Sequence, residues 1–289
     1  MGSEGPPAVT IHVTGFKKFH GVAENPTETI VGNLKEYMKK KGMPKGVILG
    51  SCSVLETAGQ GAVAPLYQTF QSSIKSKDSE SSSPGRIIWI HFGVNSGATR
   101  FAIEHQAVNE ATFRCPDELG WKPQKVPIIP SDGEISRVRE SSFTCKAKVL
   151  GGVKLFAIDL EVSELLIPFF LITMFTVSNY AIGFLERFVV KNTVLGSNAV
   201  VRVSSSHCTQ TTLPVEDLTK ILTKKGYEVM ASDDAGRFVC NYVYYHSLRF
   251  ADENGTKSLF VHVPLFLTID EETQMQFAAS LLEVLASLY

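Results

Sequence analysis

The segment Arg86–Phe92, RIIWIHF, is a nearly unbroken apolar run of strand length. A strand open to water on one face alternates, so an unbroken run predicts a sheet covered on both faces. That restricts the surroundings to helices laid against a largely parallel sheet, and the flanking sequence supplies them. Val9 to Thr14 alternates and stops at Gly15, as a first strand. Asn25-Pro26-Thr27-Glu28 opens a helix: Asn25 can cap, Pro26 fits the first turn, and Glu28 completes a capping box. Its apolar stripe is Ile30, Leu34, Tyr37 and Met38, and Gly42 ends it. Val47 to Leu49 reads as a short buried strand, Gln60 to Ile74 as a helix, and SKDSESSSPG as a solvated loop.

The last third repeats the alternation. Pro214 starts a helix with Val215, Leu218, Ile221 and Leu222 on one face. Tyr227 to Ala231 is a strand, a helix runs from about Phe238 to Glu253, Leu259 to Val263 is a buried strand, and a final helix follows Asp270. The expected fold is α/β: a three-layer α/β/α sandwich with a mainly parallel twisted sheet. A chain of 289 residues, 44% hydrophobic, can bury such a core.

Between Phe143 and Thr212 the alternation lapses. Leu165 to Leu185 is uncharged and close to the ~20 residues that span a bilayer, but Pro168, Asn179 and Gly183 interrupt it. Those interruptions disfavour a membrane span there. Residues 1–8 read as a disordered tail, without the basic start and apolar stretch of a signal peptide. Gly2-Ser3 is a weak match to a myristoylation site, with Pro at position six where Ser or Thr belongs.

A net charge of −1 gives no electrostatic case for nucleic acid. The five cysteines (Cys52, Cys115, Cys145, Cys208 and Cys240) form no CxxC pair. An odd, unpatterned set argues against a disulfide framework or a zinc site and for a reducing, cytoplasmic setting.

Ligands of open α/β sheets collect where strands lead into helix N-termini. Cys240 lies early in the helix after Tyr227–Ala231, where the positive end of the helix favours a thiolate. His262 ends a neighbouring apolar strand just before Pro264. A Cys–His pair is the minimum for acyl transfer through a thioester. On spacing alone the alternatives stand beside this: a helical Cys is usually a small buried hydrophobe, and a His in a Val-rich strand is usually a hydrogen-bonded core residue. His246, on the same helix as Cys240, competes for the role of base.

The segments SDDAGRFVCNYVYYHS and LFVHVP resemble the active-site signature of the pyroglutamyl-peptidase I family (pyrrolidone carboxyl peptidases), the plant members in particular. VTGFKKFHGVAENPT resembles that family's opening motif, and HFGVNSGATRFAIEHQAVN its glutamate motif. The resemblance implies a cysteine-type omega- or exopeptidase that hydrolyses the amide after an N-terminal pyroglutamyl residue, without metal or organic cofactor. It implies Cys240 as nucleophile, His262 as base and acid, Glu104 as the carboxylate that orients the imidazole, and Phe16 and Phe19 in the substrate pocket. Alone, Glu104 would be read as a surface carboxylate.

The resemblance covers 9–142 and 213–289 as one peptidase domain, and 143–212 departs from it as an inserted segment. Removing the insert rejoins SRVRESS to LPVEDL. The rival reading is a catalytically impaired isoform that binds partners or membrane through that segment. A thiol redox protein is a weaker third, since no resolving Cys lies near Cys240. Peptide substrates are the expected partners, and assembly of identical chains is compatible with the sequence.

Overall fold

The computed structural model describes residues 8–75, 86–132, 144–150, 153–159 and 208–288. The tail 1–7, the loop SKDSESSSPG and the apolar run 165–185 lie outside the described residues. Among the described residues no helix is long and apolar enough to cross a membrane. The chain divides into two units, Met1–Ile135 with His207–Tyr289, and Ser136–Ser206.

In chain order the first unit begins with β1 (Val9–Phe16), α1 (Pro26–Lys41), β2 (Val47–Leu55), α2 (Gly59–Lys75), β3 (Ile87–Val94), β4 (Phe101–Glu104) and β5 (Gln106–Val108). The second unit contributes β6 (Thr144–Leu150) and β7 (Val153–Asp159), an antiparallel pair. The first unit resumes with β8 (Cys208–Gln210), α3 (Val215–Lys224), β9 (Val229–Ser232), α4 (Val239–Glu253), β10 (Lys257–Val263) and α5 (Glu271–Leu288).

The main sheet has the order β2-β1-β3-β10-β4-β9. The first four strands are parallel, β4 is antiparallel to β10, and β9 runs with β4. The expected α/β sandwich is present, with a correction at one edge. His262 and the strand before Cys240 are not on neighbouring parallel strands: β4 lies between them, and β9 runs against β10.

Alternation within the strands separates two cores. Ile88, Ile90, Phe92, Leu259, Val261 and Val263 pack toward α1, α3 and α5. Ile87, Trp89 and Phe260 pack toward α2 and α4. Each fully buried Leu, Ile or Phe contributes about 1.5–3 kcal/mol, so the sheet is stabilised from both faces. Between the apolar residues of the α4 face runs a buried polar chain: Thr14 Oγ1 to His91 Nδ1 at 2.7 Å, His91 Nε2 to Ser247 Oγ at 2.7 Å, and Ser247 Oγ to Ser258 Oγ at 2.8 Å.

The α1 cap forms in part as expected. Asn25 Oδ1 accepts from the Thr27 N–H, but Glu28 accepts from the Lys18 N–H at 2.9 Å rather than closing a box on Asn25. Strand β2 runs six residues beyond the expected Leu49, through the small residues of GSCSVL to Leu55. Gly50 permits this, because a Cβ there would meet the His12 ring at 2.6 Å. At the other end of the expected insert, β8 pairs antiparallel with β5, and Thr211 N–H donates to the His105 carbonyl. Residues 208–212 therefore pack with the first unit.

Candidate active site

Strands β4 and β10 bring a carboxylate and an imidazole together. Glu104 pairs with Phe260, and Ala102 with His262, so Glu104 and His262 are diagonal neighbours across an antiparallel ladder. Diagonal neighbours are within reach of long side chains. His262 Nδ1 lies 2.7 Å from Glu104 Oε1, with Glu104 only 1% and His262 7% exposed. The contact leaves Nε2 as the nitrogen available for chemistry, the usual consequence of fixing a histidine through its other ring nitrogen.

Cys240 reaches the same imidazole from above the sheet. It is the second residue of α4, behind the N-cap Phe238, and its thiol is among the groups that raise the His262 pKa. No side chain caps α4, and Cys240 lies in its first turn, at the positive end of the helix. Burial alone would lower the His262 pKa. The hydrogen bonds and charges of Cys240 and Glu104 outweigh it and raise the pKa to about 10. A histidine raised this far keeps its proton at neutral pH.

The helix is fixed to β4 and β5 by two side chains that sequence reasoning missed. The Tyr244 hydroxyl donates to the Glu104 carbonyl at 2.9 Å. The buried Asn241 amide accepts from the Val108 N–H at 2.8 Å and donates to the carbonyls of Val108 (2.8 Å) and Glu110 (3.0 Å). The available signal was a carboxamide directly after Cys240 on an otherwise apolar helix face, since a buried amide must find partners. The alternative base, His246, is engaged elsewhere. Its Nδ1 is 3.3 Å from the Tyr67 hydroxyl of α2, and burial lowers its pKa to about 4.

Phe16 and Phe19 occupy different environments. Phe16 is 2% exposed and packs on Phe260, with ring centroids 6.3 Å apart; Phe260 in turn lies 4.9 Å from the His262 ring. Phe19 is half-buried and lines a pocket of about 410 Å³ with Lys17, Val22, Glu56 and Glu118. The loop between them is held through its backbone by side chains from three sides. Asn25 Nδ2 and Thr57 Oγ1 both donate to the Lys17 carbonyl, Glu28 accepts from Lys18, and Glu118 accepts from His20. Such anchoring presents Phe19 without an ordering cost on binding.

Among the described residues no group of three or more His, Cys, Asp or Glu is placed to hold a metal ion. The other described thiols are differently set. Burial pushes Cys52 up to about 11 and raises Cys208, while Cys115 is exposed.

A family model described as pyroglutamyl peptidase matches residues 193–283, which include Cys240 and His262. The pyrrolidone-carboxylate peptidase of Pyrococcus furiosus is 24% identical over 87% of this chain and 79% of its own length. That of Thermococcus litoralis is 42% identical over a shorter stretch, 18% of this chain and 25% of its own. The crystal structure of pyrrolidone carboxyl peptidase from Fervidobacterium islandicum has a TM-score of 0.61 at 19% identity, covering 96% of this chain and 99% of its own. Bacillus amyloliquefaciens pyroglutamyl peptidase I gives 0.59 at 16% identity, covering 96% and 97%. These structural likenesses carry the fold alone. The chain is thus similar to pyroglutamyl peptidases in its family-model match, in its sequence relatives and in its fold.

Proposed function

We propose that this chain is a cysteine exopeptidase that hydrolyses the amide bond after an N-terminal pyroglutamyl residue. The observation that carries the reading is the buried Glu104–His262 hydrogen bond, with the Cys240 sulfur lying over Gly93, the register partner of His262. The pyrrolidone-carboxylate peptidase of Pyrococcus furiosus matches 87% of the chain.

The Cys240 thiolate attacks the scissile carbonyl, and the developing oxyanion turns toward the N–H groups of the first turn of α4. The His262 imidazolium gives its proton to the departing amine, leaving a thioester on Cys240. Neutral His262 then takes a proton from water, the hydroxide attacks the thioester, and the thiolate departs beside a restored imidazolium. Glu104 steadies that imidazolium and fixes its ring through Nδ1. The residues required are all in the chain's own first unit.

Phe19 offers an apolar face to the flat uncharged lactam ring, and Phe16 supports the wall from behind by packing on Phe260. An open-chain N-terminal residue carries a charged amine that such a wall cannot solvate. The free thiols among the described residues fit work in a reducing, cytoplasmic setting.

The test is a peptide series identical but for its first residue. Release of pyroglutamate, read by mass spectrometry, with no release from peptides starting in glutamine or glutamate, supports the reading. Cys240→Ser should bind the first peptide and turn it over negligibly. Efficient release of N-terminal glutamine would contradict it.

A further inference from the structure

Strands β3 and β10 are parallel neighbours in continuous register from Ile88–Lys257 to Val94–Val263, which sets Gly93 directly beside His262. Registered residues of parallel strands direct their side chains to the same face. Phe92 and Val261 belong to the core under α1, α3 and α5, so positions 93 and 262 both face α4. Gly93 has no side chain to place there.

The space it leaves is filled. A Cβ at Gly93 would lie 2.9 Å from Cys240 Sγ and 2.6 Å from Phe260 Cζ, both inside ordinary contact distance. Strands in a sheet are about 4.8 Å apart, so a sulfur lying over Gly93 is roughly one strand spacing from the His262 backbone. The influence of Cys240 on the His262 pKa fits that placement. Gly93 does not adopt the left-handed backbone conformation that calls for glycine. What excludes a larger residue is the sulfur and the phenyl ring.

Resting on the reading of Cys240 as nucleophile, we propose that Gly93 is a positioning residue: its vacant side-chain slot is the seat that holds the Cys240 thiol against His262. Phe260 forms the other wall of the seat. It is fully buried and packed on Phe16, Tyr244, His91 and His262, so it cannot recede to admit a methyl group. An alanine at 93 therefore displaces the sulfur, which can leave by rotation about one bond.

The experiment is Gly93→Ala in the full chain, made alone and with Cys240→Ala. Two readouts report on the thiol without substrate, so they stay decisive even where the proposed substrate is wrong. The first is the pH profile of Cys240 alkylation by iodoacetamide. Gly93→Ala should slow alkylation near neutral pH by about tenfold or more and move its rise to higher pH, because the thiolate loses its imidazolium partner. The second is thermal unfolding: the Tm loss caused by Gly93→Ala should shrink when Cys240 is already alanine, since the clash with sulfur is gone. With a pyroglutamyl peptide, kcat should fall while KM stays close to wild type.

If Gly93→Ala alone does not fold, Gly93→Ala with Phe260→Leu removes the ring clash and leaves the sulfur as the obstacle. Slow, right-shifted alkylation there supports the proposal as well. An unchanged alkylation profile in the folded variant, or an equal Tm loss in both backgrounds, overturns it.

Discussion

His262 Nδ1 and Glu104 Oε1 are 2.7 Å apart across strands that run in opposite directions, both buried beneath the helix that carries Cys240. A carboxylate in that position stabilises the imidazolium and selects the ring orientation. Glu104→Gln keeps the shape and removes the charge. It should lower kcat by roughly 10²–10⁴-fold with KM nearly unchanged. Steady-state kinetics on a pyroglutamyl peptide decide this; wild-type turnover would reduce Glu104 to a structural residue.

Tyr244→Phe deletes the hydroxyl that ties α4 to the Glu104 carbonyl while keeping the ring. A buried carbonyl left without that donor costs about 1–3 kcal/mol. Urea unfolding should show a lower midpoint with an unchanged slope. A midpoint equal to wild type would mean the tie contributes nothing.

The two aromatic residues of the first loop should separate in their effects. Phe16 is fully packed, so Phe16→Ala should cost about 3–5 kcal/mol of stability in addition to raising KM. Phe19 is half-buried on an anchored loop, so Phe19→Ala should raise KM by about tenfold with little change in Tm. Equal losses of Tm in the two variants would contradict this division.

His91 is buried as a neutral ring, its pKa lowered to about 3 by burial, and His246 is lowered to about 4. A histidine whose folded pKa lies below its unfolded value gives stability that is present above about pH 6.5 and lost as pH falls toward the folded pKa. Each contributes a slope of up to about 1.4 kcal/mol per pH unit in that window. His262 leaves the window alone: its raised pKa gives stability fully present below about 6.5 and lost as pH climbs through about 10. Unfolding free energies between pH 4 and 7 should therefore fall toward acid, and His91→Gln should flatten the fall. An unaltered slope would place the acid sensitivity elsewhere.

The inserted segment is proposed to be dispensable, because every residue of the site lies in the unit Met1–Ile135 with His207–Tyr289. Replacing Ser136–Ser206 by a short Gly-Ser linker should leave kcat/KM within about threefold, as surface insertions are cheap in loop entropy. A folded variant without activity would show that the segment helps build the site.

The covered sheet was legible in RIIWIHF and LFVHV, because burial on both faces is written as unbroken apolar sequence. The helix starting at Pro26 was legible from its cap. Strand direction was not, since periodicity carries none, and Phe101–Glu104 is too short and ends too polar to announce itself. The β6–β7 pair was missed although Cys145, Ala147 and Val149 alternate with Lys146 and Lys148, and Gly151-Gly152 is a hairpin signal. Cys240 and His262 were candidates on position, and Glu104 stood out only through its motif. Gly93, Asn241 and Tyr244 depend on which residues face each other across strands and helix, which register alone reveals.

The central claim is that Cys240 is the nucleophile, and the direct measurement is iodoacetamide labelling mapped by mass spectrometry alongside peptidase activity. Cys240 should be the first of the five cysteines alkylated, activity should fall in proportion, and excess pyroglutamyl peptide should slow both. Labelling of the exposed Cys115 or the half-buried Cys52 in step with lost activity, or full activity after stoichiometric alkylation of Cys240, would contradict it.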